Sequence, residues 1–430
     1  MAKITVVDSL MGTGKSSWAR QYINDNWHSK FVYITPLLSE VEKTITSCPV
    51  LQFFQPQIKG KTKAEDFNDL LMHGFNVAST HCTFSRSNEE TYSYIRRGNY
   101  TLVLDEEIDV LCDFNDMVHD KDERMKPGDI KLMLDQKLIA TDEKGRVSWI
   151  GNDYKDSHFD AIQEVSKNGN LYLINDSFLV WLFPTILFEA FDRVFILSYL
   201  FHGSMLEAFF QQNQIDYDMM SVGQCEDGTY KLIEYTDFRP QIAELKKLIH
   251  ICDDKYINAH DNCSLSMSDY KRSSKADRKI LQKQTYRFFH SIKKAKSCEI
   301  LWTAPKKYHN DLKGKGYSKV RLITKEERDT LTKAELKQLE DSLNCFIACN
   351  AKGTNMYGDR SVLAYILNYF PNPYLLRFFE GTSIDEDRIS LASLLQWIWR
   401  SRIRNQQEIW IWIPATRMRS LLIDWLDGKF

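Results

Sequence analysis

The chain has 430 residues, enough for two or three domains at about 150 residues each. Its 56 Lys+Arg against 58 Asp+Glu give a formal net charge of −2, which excludes partners captured by a global field of one sign. A composition of 43% hydrophobic and 13% aromatic residues supplies large cores and excludes disorder as the main state.

Short apolar, β-rich runs at 4–7, 30–34, 75–79, 100–104 and 193–198 read as strands. Amphipathic stretches between them, after Ser16 and around 64–73, read as helices. This alternation predicts βαβ units and a parallel sheet. The first strand runs into Ser9-Leu10-Met11-Gly12-Thr13-Gly14-Lys15-Ser16, and a helix follows. A phosphate loop needs that setting, because glycines let backbone N–H groups close around an anion at a helix N-terminus. Gly12, Thr13, Gly14, Lys15, Ser16 and Ser17 are therefore candidate nucleotide-binding residues. Lys15 would reach the β/γ-phosphates and the Ser16 hydroxyl would ligate Mg²⁺. Ser9 stands where the pattern usually has glycine.

The fourth strand ends in Asp105-Glu106-Glu107. A nucleotide hydrolase needs carboxylates at the end of a neighbouring strand. Asp105 would hold Mg²⁺ and Glu106 would orient and deprotonate the attacking water. Glu107 and Asp109 read as solvated or structural. Thr35 and Pro36 follow the second strand, and Thr80 and His81 follow the third. Such loops offer hydroxyls and N–H groups to a phosphodiester backbone, or serve only as helix N-caps. Residues 113–175, with polar turns at 120–124 and 142–145, read as an insertion.

Beyond about residue 223 a second alternating region follows, with strands expected at 299–303, 320–323, 345–350 and 409–413. Residues 410–425 read as a core strand and a terminal helix. The split is therefore 1–222 and 223–430. Residues 271–296 carry ten Lys/Arg against one acid, Asp277. Tyr286, Phe288, Phe289 and Ile292 interleave with them. This run reads either as a strand-binding face or as a solvated helix with its aromatics in the core. Nine scattered cysteines without a Cys-x-x-Cys pair point to a reducing compartment. The most apolar stretch, 177–191, is broken by Pro184 and falls short of a membrane span. The reading is a soluble intracellular protein without a membrane partner.

The order of phosphate loop, Thr-Pro, Thr-His and Asp-Glu resembles the superfamily-two helicases of the DEAD/DEAH-like group, and a compact phage-type replication branch of them. The resemblance implies an α/β fold of two tandem RecA-like P-loop domains, parallel sheets flanked by helices, with a small insertion in the first. Ser198 stands in the place of the family's coupling motif. Asn350 to Asp359 resembles the motif that touches nucleotide and strand, which implies Gly353 and Asp359 at the nucleotide and Thr354 and Asn355 at the strand. Residues 396–404 resemble the arginine-finger motif, with Trp399 in place of its glycine. Gln396 and one of Arg400, Arg402 and Arg404 would then act in catalysis. The implied activity is an ATP- and Mg²⁺-dependent helicase or translocase acting on single-stranded or forked DNA, with RNA left open. Replication proteins would be partners, in the cytoplasm of a bacterial cell or phage-infected host. The alternative is a nucleic-acid-stimulated ATPase that remodels a protein–DNA complex or acts as an initiator, without processive unwinding.

Overall fold

The computed structural model describes residues 2–430 except 59–61, 119–123, 153–157, 168, 237, 259–263 and 351–355. The chain forms two compact units. One comprises Met1–Ser9, Thr13–Thr236 and Pro371–Asp385; the other comprises Leu10–Gly12, Asp237–Phe370 and Glu386–Phe430. The first unit thus continues past residue 222 and receives a short strap from the second half of the chain.

In the first unit the strands are β1 (Lys3–Asp8), β2 (Lys30–Thr35), β3 (Val77–Thr80) and β4 (Tyr100–Asp105). Next come β5 (Leu111–Asp113), β6 (Ile139–Thr141), β7 (Val147–Trp149), β8 (Leu171–Ile174) and β9 (Phe178–Leu182). Then follow β10 (Arg193–Ser198), β11 (Asp218–Gln224) and β12 (Tyr230–Glu234). The main sheet has the order β12-β11-β1-β10-β4-β2-β3, and all its pairs are parallel except β11 with β12.

Successive side chains of a strand point to opposite faces, and here both faces are apolar. Ile4, Val6, Val32, Ile34, Leu102 and Leu104 join one core; Val7, Phe31, Tyr33 and Val103 join another. Trp18, Ala19 and Ile23 of helix Lys15–Asp25 cover the second face. Phe67 and Leu71 of helix Lys63–Met72, with Tyr92 and Ile95 of helix Glu89–Gly98, cover the first. The insertion packs a β5-β9-β8 sheet and a β6-β7 hairpin around its own core of Phe114, Ile130, Met133, Ile162 and Leu171.

The strap docks by packing and by hydrogen bonds. Phe379 is fully buried in the first core, and Tyr374 stacks on Phe178 with centroids 4.6 Å apart. Ser383 Oγ donates to Glu207 at 2.6 Å, and Gln211 bonds both the Ser383 hydroxyl and its N–H at 2.8 Å.

The second unit holds β13 (Ile249–Ile251), β14 (Ile300–Thr303), β15 (Val362–Tyr365) and β16 (Ile409–Trp412) in one parallel sheet of order β13-β16-β15-β14. Trp302, Trp397, Trp412 and Trp425 fill its core. The expectation of α/β architecture with parallel sheets and an insertion holds, as do the C-terminal strand and the helix Thr416–Leu426. Two expected strands are corrected. Residues 320–323 lie in open chain with Arg321 and Leu322 exposed, and 345–350 contribute only an isolated bridge of Phe346 with Trp302. β15, at Val362–Tyr365, is a strand of this sheet that the sequence reading did not include.

Among the described residues no helix is long and apolar enough to cross a membrane, and the cysteines are free thiols. Replacing Phe379 by Ala leaves a cavity in the first core and should cost about 3–5 kcal/mol of stability. Urea denaturation measures this, and an unchanged midpoint would mean that the strap does not support the core.

Candidate functional site

The strands of the main sheet place Asp8, Thr35, Thr80, Asp105 and Ser198 at their C-terminal ends. In parallel α/β sheets this is the edge where ligands bind. Gly12 and Gly14 have φ of +82° and +95°, left-handed values that glycine adopts without strain. Gly14 caps the helix Lys15–Asp25, and a Cβ on it would lie 2.2 Å from the Tyr230 ring. The loop therefore requires glycine twice over, by dihedral and by space.

Asp105 lies two residues beyond Val103, so it shares the face covered by the helix that starts at Lys15. Tyr33 pairs with Val103 in register and points to the same side. The result is convergence: Ser16 Oγ donates to Asp105 Oδ1 at 2.9 Å, and Tyr33 Oη donates to Asp105 Oδ2 at 2.7 Å. Asp105 is only 8% exposed. Burial pushes its carboxyl above the ordinary range, and the two hydroxyls work against that shift. Lys15 Nζ donates to the Ser9 carbonyl. Burial lowers the Lys15 ammonium to about 8, against the pull of Asp8, Asp105 and Glu106.

Ser9 has a structural reason for replacing glycine. Its hydroxyl accepts from the Val222 N–H at 2.8 Å and its own N–H donates to the Ser198 carbonyl at 3.0 Å, tying β11 and β10 to the loop.

A second group of carboxylates gathers around Asp8, whose place on β1 is of opposite parity to Val7. Asp8 pairs with Ser198 in register, and the Ser198 hydroxyl donates to Glu107. Burial raises Glu107 to about 7, with Asp8 and Glu207 adding to the shift. Asp8 is buried and raised for the same reason. Glu107 is therefore held by Ser198 and is not a solvated side chain. The sequence signal available for it was Ser198 at the end of its strand. Tyr33 was missed because an apolar strand offers no local cue for one hydroxyl. Glu106 has φ of +77°, a left-handed value that strains a non-glycine residue beside the buried carboxylate.

Other expected residues fall in varied places. Thr35 is buried, Pro36 and Thr80 are half-buried, and His81 is 8% exposed in the short helix His81–Phe84. Ser17 is exposed on the first turn of its helix and Thr13 is half-buried. In the second unit Gln396 is exposed on helix Glu386–Ile398 and Arg400 is buried. Arg402 donates to the Glu408 carbonyl and lies 5.7 Å from the Trp410 ring centre, and Arg404 is exposed. Asp359 is exposed, 3.5 Å from Arg360 Nε. Gly353, Thr354 and Asn355 lie outside the described residues.

The donor set fits Mg²⁺. A hydroxyl and a carboxylate are already within hydrogen-bond distance, and both are hard oxygens. Mg²⁺ commonly takes one or two protein oxygens and completes its shell with water and phosphate. No cluster of three or more His, Cys, Asp or Glu that could hold a metal occurs among the described residues.

Tyr33→Phe leaves the buried Asp105 Oδ2 without its donor. The expected loss is about 1–3 kcal/mol of stability, read from urea denaturation at neutral pH. No change would mean that the hydroxyl is not holding the carboxylate.

Comparison with known proteins places this geometry in context. A family model described as the YonV C-terminal Rossmann-like domain matches residues 243–426, and one described as the YonV middle domain matches 121–181. The second match coincides with most of the insertion. Among solved structures, the structure of S. tokodaii Xpd4 aligns with a TM-score of 0.50 at 14% identity, over 99% of this chain and 94% of that one. An XPD helicase chain aligns with a TM-score of 0.49 at 12% identity, over 99% and 94%. The fold is thus two tandem RecA-like domains, similar to that of the Xpd4 structure. The SPbeta prophage-derived uncharacterized protein YonV of Bacillus subtilis (strain 168) is 32% identical over the whole of both chains. This chain belongs to the YonV family.

Proposed function

We propose that the chain is an ATP-dependent nucleic-acid translocase of the helicase type, acting on DNA. The observation that carries this reading is the meeting of Ser16 and Asp105 beside Lys15, at the mouth of a glycine loop on a RecA-like sheet. The N–H groups from Gly12 to Ser17 would wrap the phosphates, and Lys15 would exchange the Ser9 carbonyl for a phosphate oxygen. Ser16 and Asp105 would hold Mg²⁺, which when bound neutralises phosphate charge during transfer. Glu106 would orient the attacking water and accept its proton. A guanidinium from Arg400, Arg402 or Arg404 would stabilise charge on the transferring phosphoryl group, with Gln396 and Asp359 as further contacts.

Thr35, Pro36, Thr80 and His81, on loops at the sheet edge, would meet the strand backbone. Pro36 and Thr80 are half-buried and keep surface for that contact, whereas Thr35 and His81 are buried. Thr354 and Asn355 are proposed as strand contacts on the motif alone. The prophage origin of the Bacillus relative supports a role in phage DNA replication or recombination, with replication proteins as partners.

Lys15→Ala should abolish ATP turnover. Glu106→Gln should keep ATP binding and lower kcat by roughly 10²–10⁴. Of the Ala variants at Arg400, Arg402 and Arg404, the one that removes the finger should keep binding and lose about 10³–10⁵ in rate. Isothermal titration with ATP and a phosphate-release assay separate these effects. Strand displacement on tailed duplexes of DNA and of RNA tests the unwinding claim. ATP turnover without displacement would favour remodelling or initiation.

A further inference from the structure

The basic run at 271–296 resolves into a capped helix with one sharply divided surface. Ser274 caps helix Lys275–Tyr286 in a capping box with Asp277, so the only acid of the run is occupied at the helix start. The helix buries Leu281 and Thr285, and a π-helical turn, Arg287–Ile292, follows with Phe288 and Phe289 fully buried. Those aromatics belong to the core, as one of the two sequence readings expected.

The opposite side is different. At about 100° per residue, Lys275, Lys279, Lys283, Arg287 and Tyr286 fall within one exposed sector. Ile280 lies at its border and is 57% exposed, and Tyr286 is 49% exposed. No carboxylate of the helix lies in this sector. Four cations repeat at about one per turn over roughly 18 Å, with an aromatic ring among them.

The neighbouring segment after β13 extends the same chemistry. Tyr256 is 67% exposed, and Arg287 and Lys255 lie 5.6 and 5.3 Å from its ring centre. Asp254 lies 3.7 Å from Arg287 and steadies it. Beyond the π turn, Lys293 sits 5.4 Å over the Trp410 ring, which also meets the stacked His250 ring at 5.2 Å and Arg402. π turns inside helices occur often at functional sites, and at this one Tyr286 and Arg287 are exposed while the next two residues are buried.

We infer that this face of the second unit is a binding surface for single-stranded nucleic acid. The cations would neutralise successive phosphates, and Tyr286 and Tyr256 would offer rings to unstacked bases. A surface built for solvation alone gains nothing from exposed rings set among its cations. A duplex keeps its bases stacked inside and would use the cations only. The inference rests on the nucleic-acid reading of the protein and adds a surface outside the sheet-edge loops.

The test is fluorescence anisotropy of a labelled single-stranded oligonucleotide with the full-length chain over a series of salt concentrations. The triple variant Lys279→Glu, Lys283→Glu and Arg287→Glu changes exposed side chains to another good helix former. It should bind at least tenfold more weakly, and its salt slope should fall by about 2. Tyr286→Ala should weaken single-strand binding without changing the slope. ATP turnover without nucleic acid should match the parent protein, which reports an intact fold. If the parent binds and the triple variant binds equally well with the same slope, this inference fails and the wider reading stands. If the parent binds no nucleic acid, both fail. Binding of anionic phosphatidylglycerol vesicles in place of DNA would also overturn it.

Discussion

A carboxylate buried at the tip of a central strand must be satisfied, and the first unit is organised around that need. Asp105 has two oxygens and almost no access to water. One hydroxyl comes from the first turn of the helix after the phosphate loop, and the other from the neighbouring strand. An unpaired charge in that position would be strongly destabilising. The pairing therefore fixes three elements relative to one another: the loop, β2 and β4. A metal that took the Ser16 and Asp105 oxygens would replace a hydrogen bond already directed at the right atoms.

A second charged cluster gathers Asp8 at the end of β1, Glu107 just past β4 and Glu207 of helix Met205–Gln212, around Ser198 and the residues that follow it. Burial, with a smaller push from the like charges of Asp8 and Glu207, raises Glu107 to about 7, so its carboxyl can hold a proton at physiological pH. Glu207 is pulled the other way. It accepts from Gly203, Ser383, His202 and Tyr217, and these bonds hold its carboxyl below the ordinary range despite burial. Through Ser383 the strap at Pro371–Asp385 is bonded to this cluster. The chain's second half thus contributes directly to the polar interior behind the phosphate loop.

Much of this was legible in the residues, for local reasons. The glycine loop, its flanking strand and the Asp-Glu ending are contiguous, and the parity argument that brings Asp105 to Ser16 needs only the strand period. What could not be read depends on contacts distant in sequence. β11 and β12 form a hairpin of mixed polarity that extends the sheet past the expected boundary. β13 has three residues, and its place beside β16 carries no local signal. Residues 320–323 have strand-like composition but sit among exposed neighbours, and tertiary context overrides their propensity. The strap carries no local signal of its role, which rests on the burial of Phe379 and the bonds of Ser383 to residues far away in sequence.

We propose that nucleotide hydrolysis in this chain serves movement on nucleic acid. The most direct measurement is steady-state ATP turnover by the full-length chain in the presence and absence of single-stranded DNA and RNA. Turnover should be low alone and markedly stimulated by single strands, with DNA the better activator. Turnover that is the same with and without either nucleic acid would contradict it.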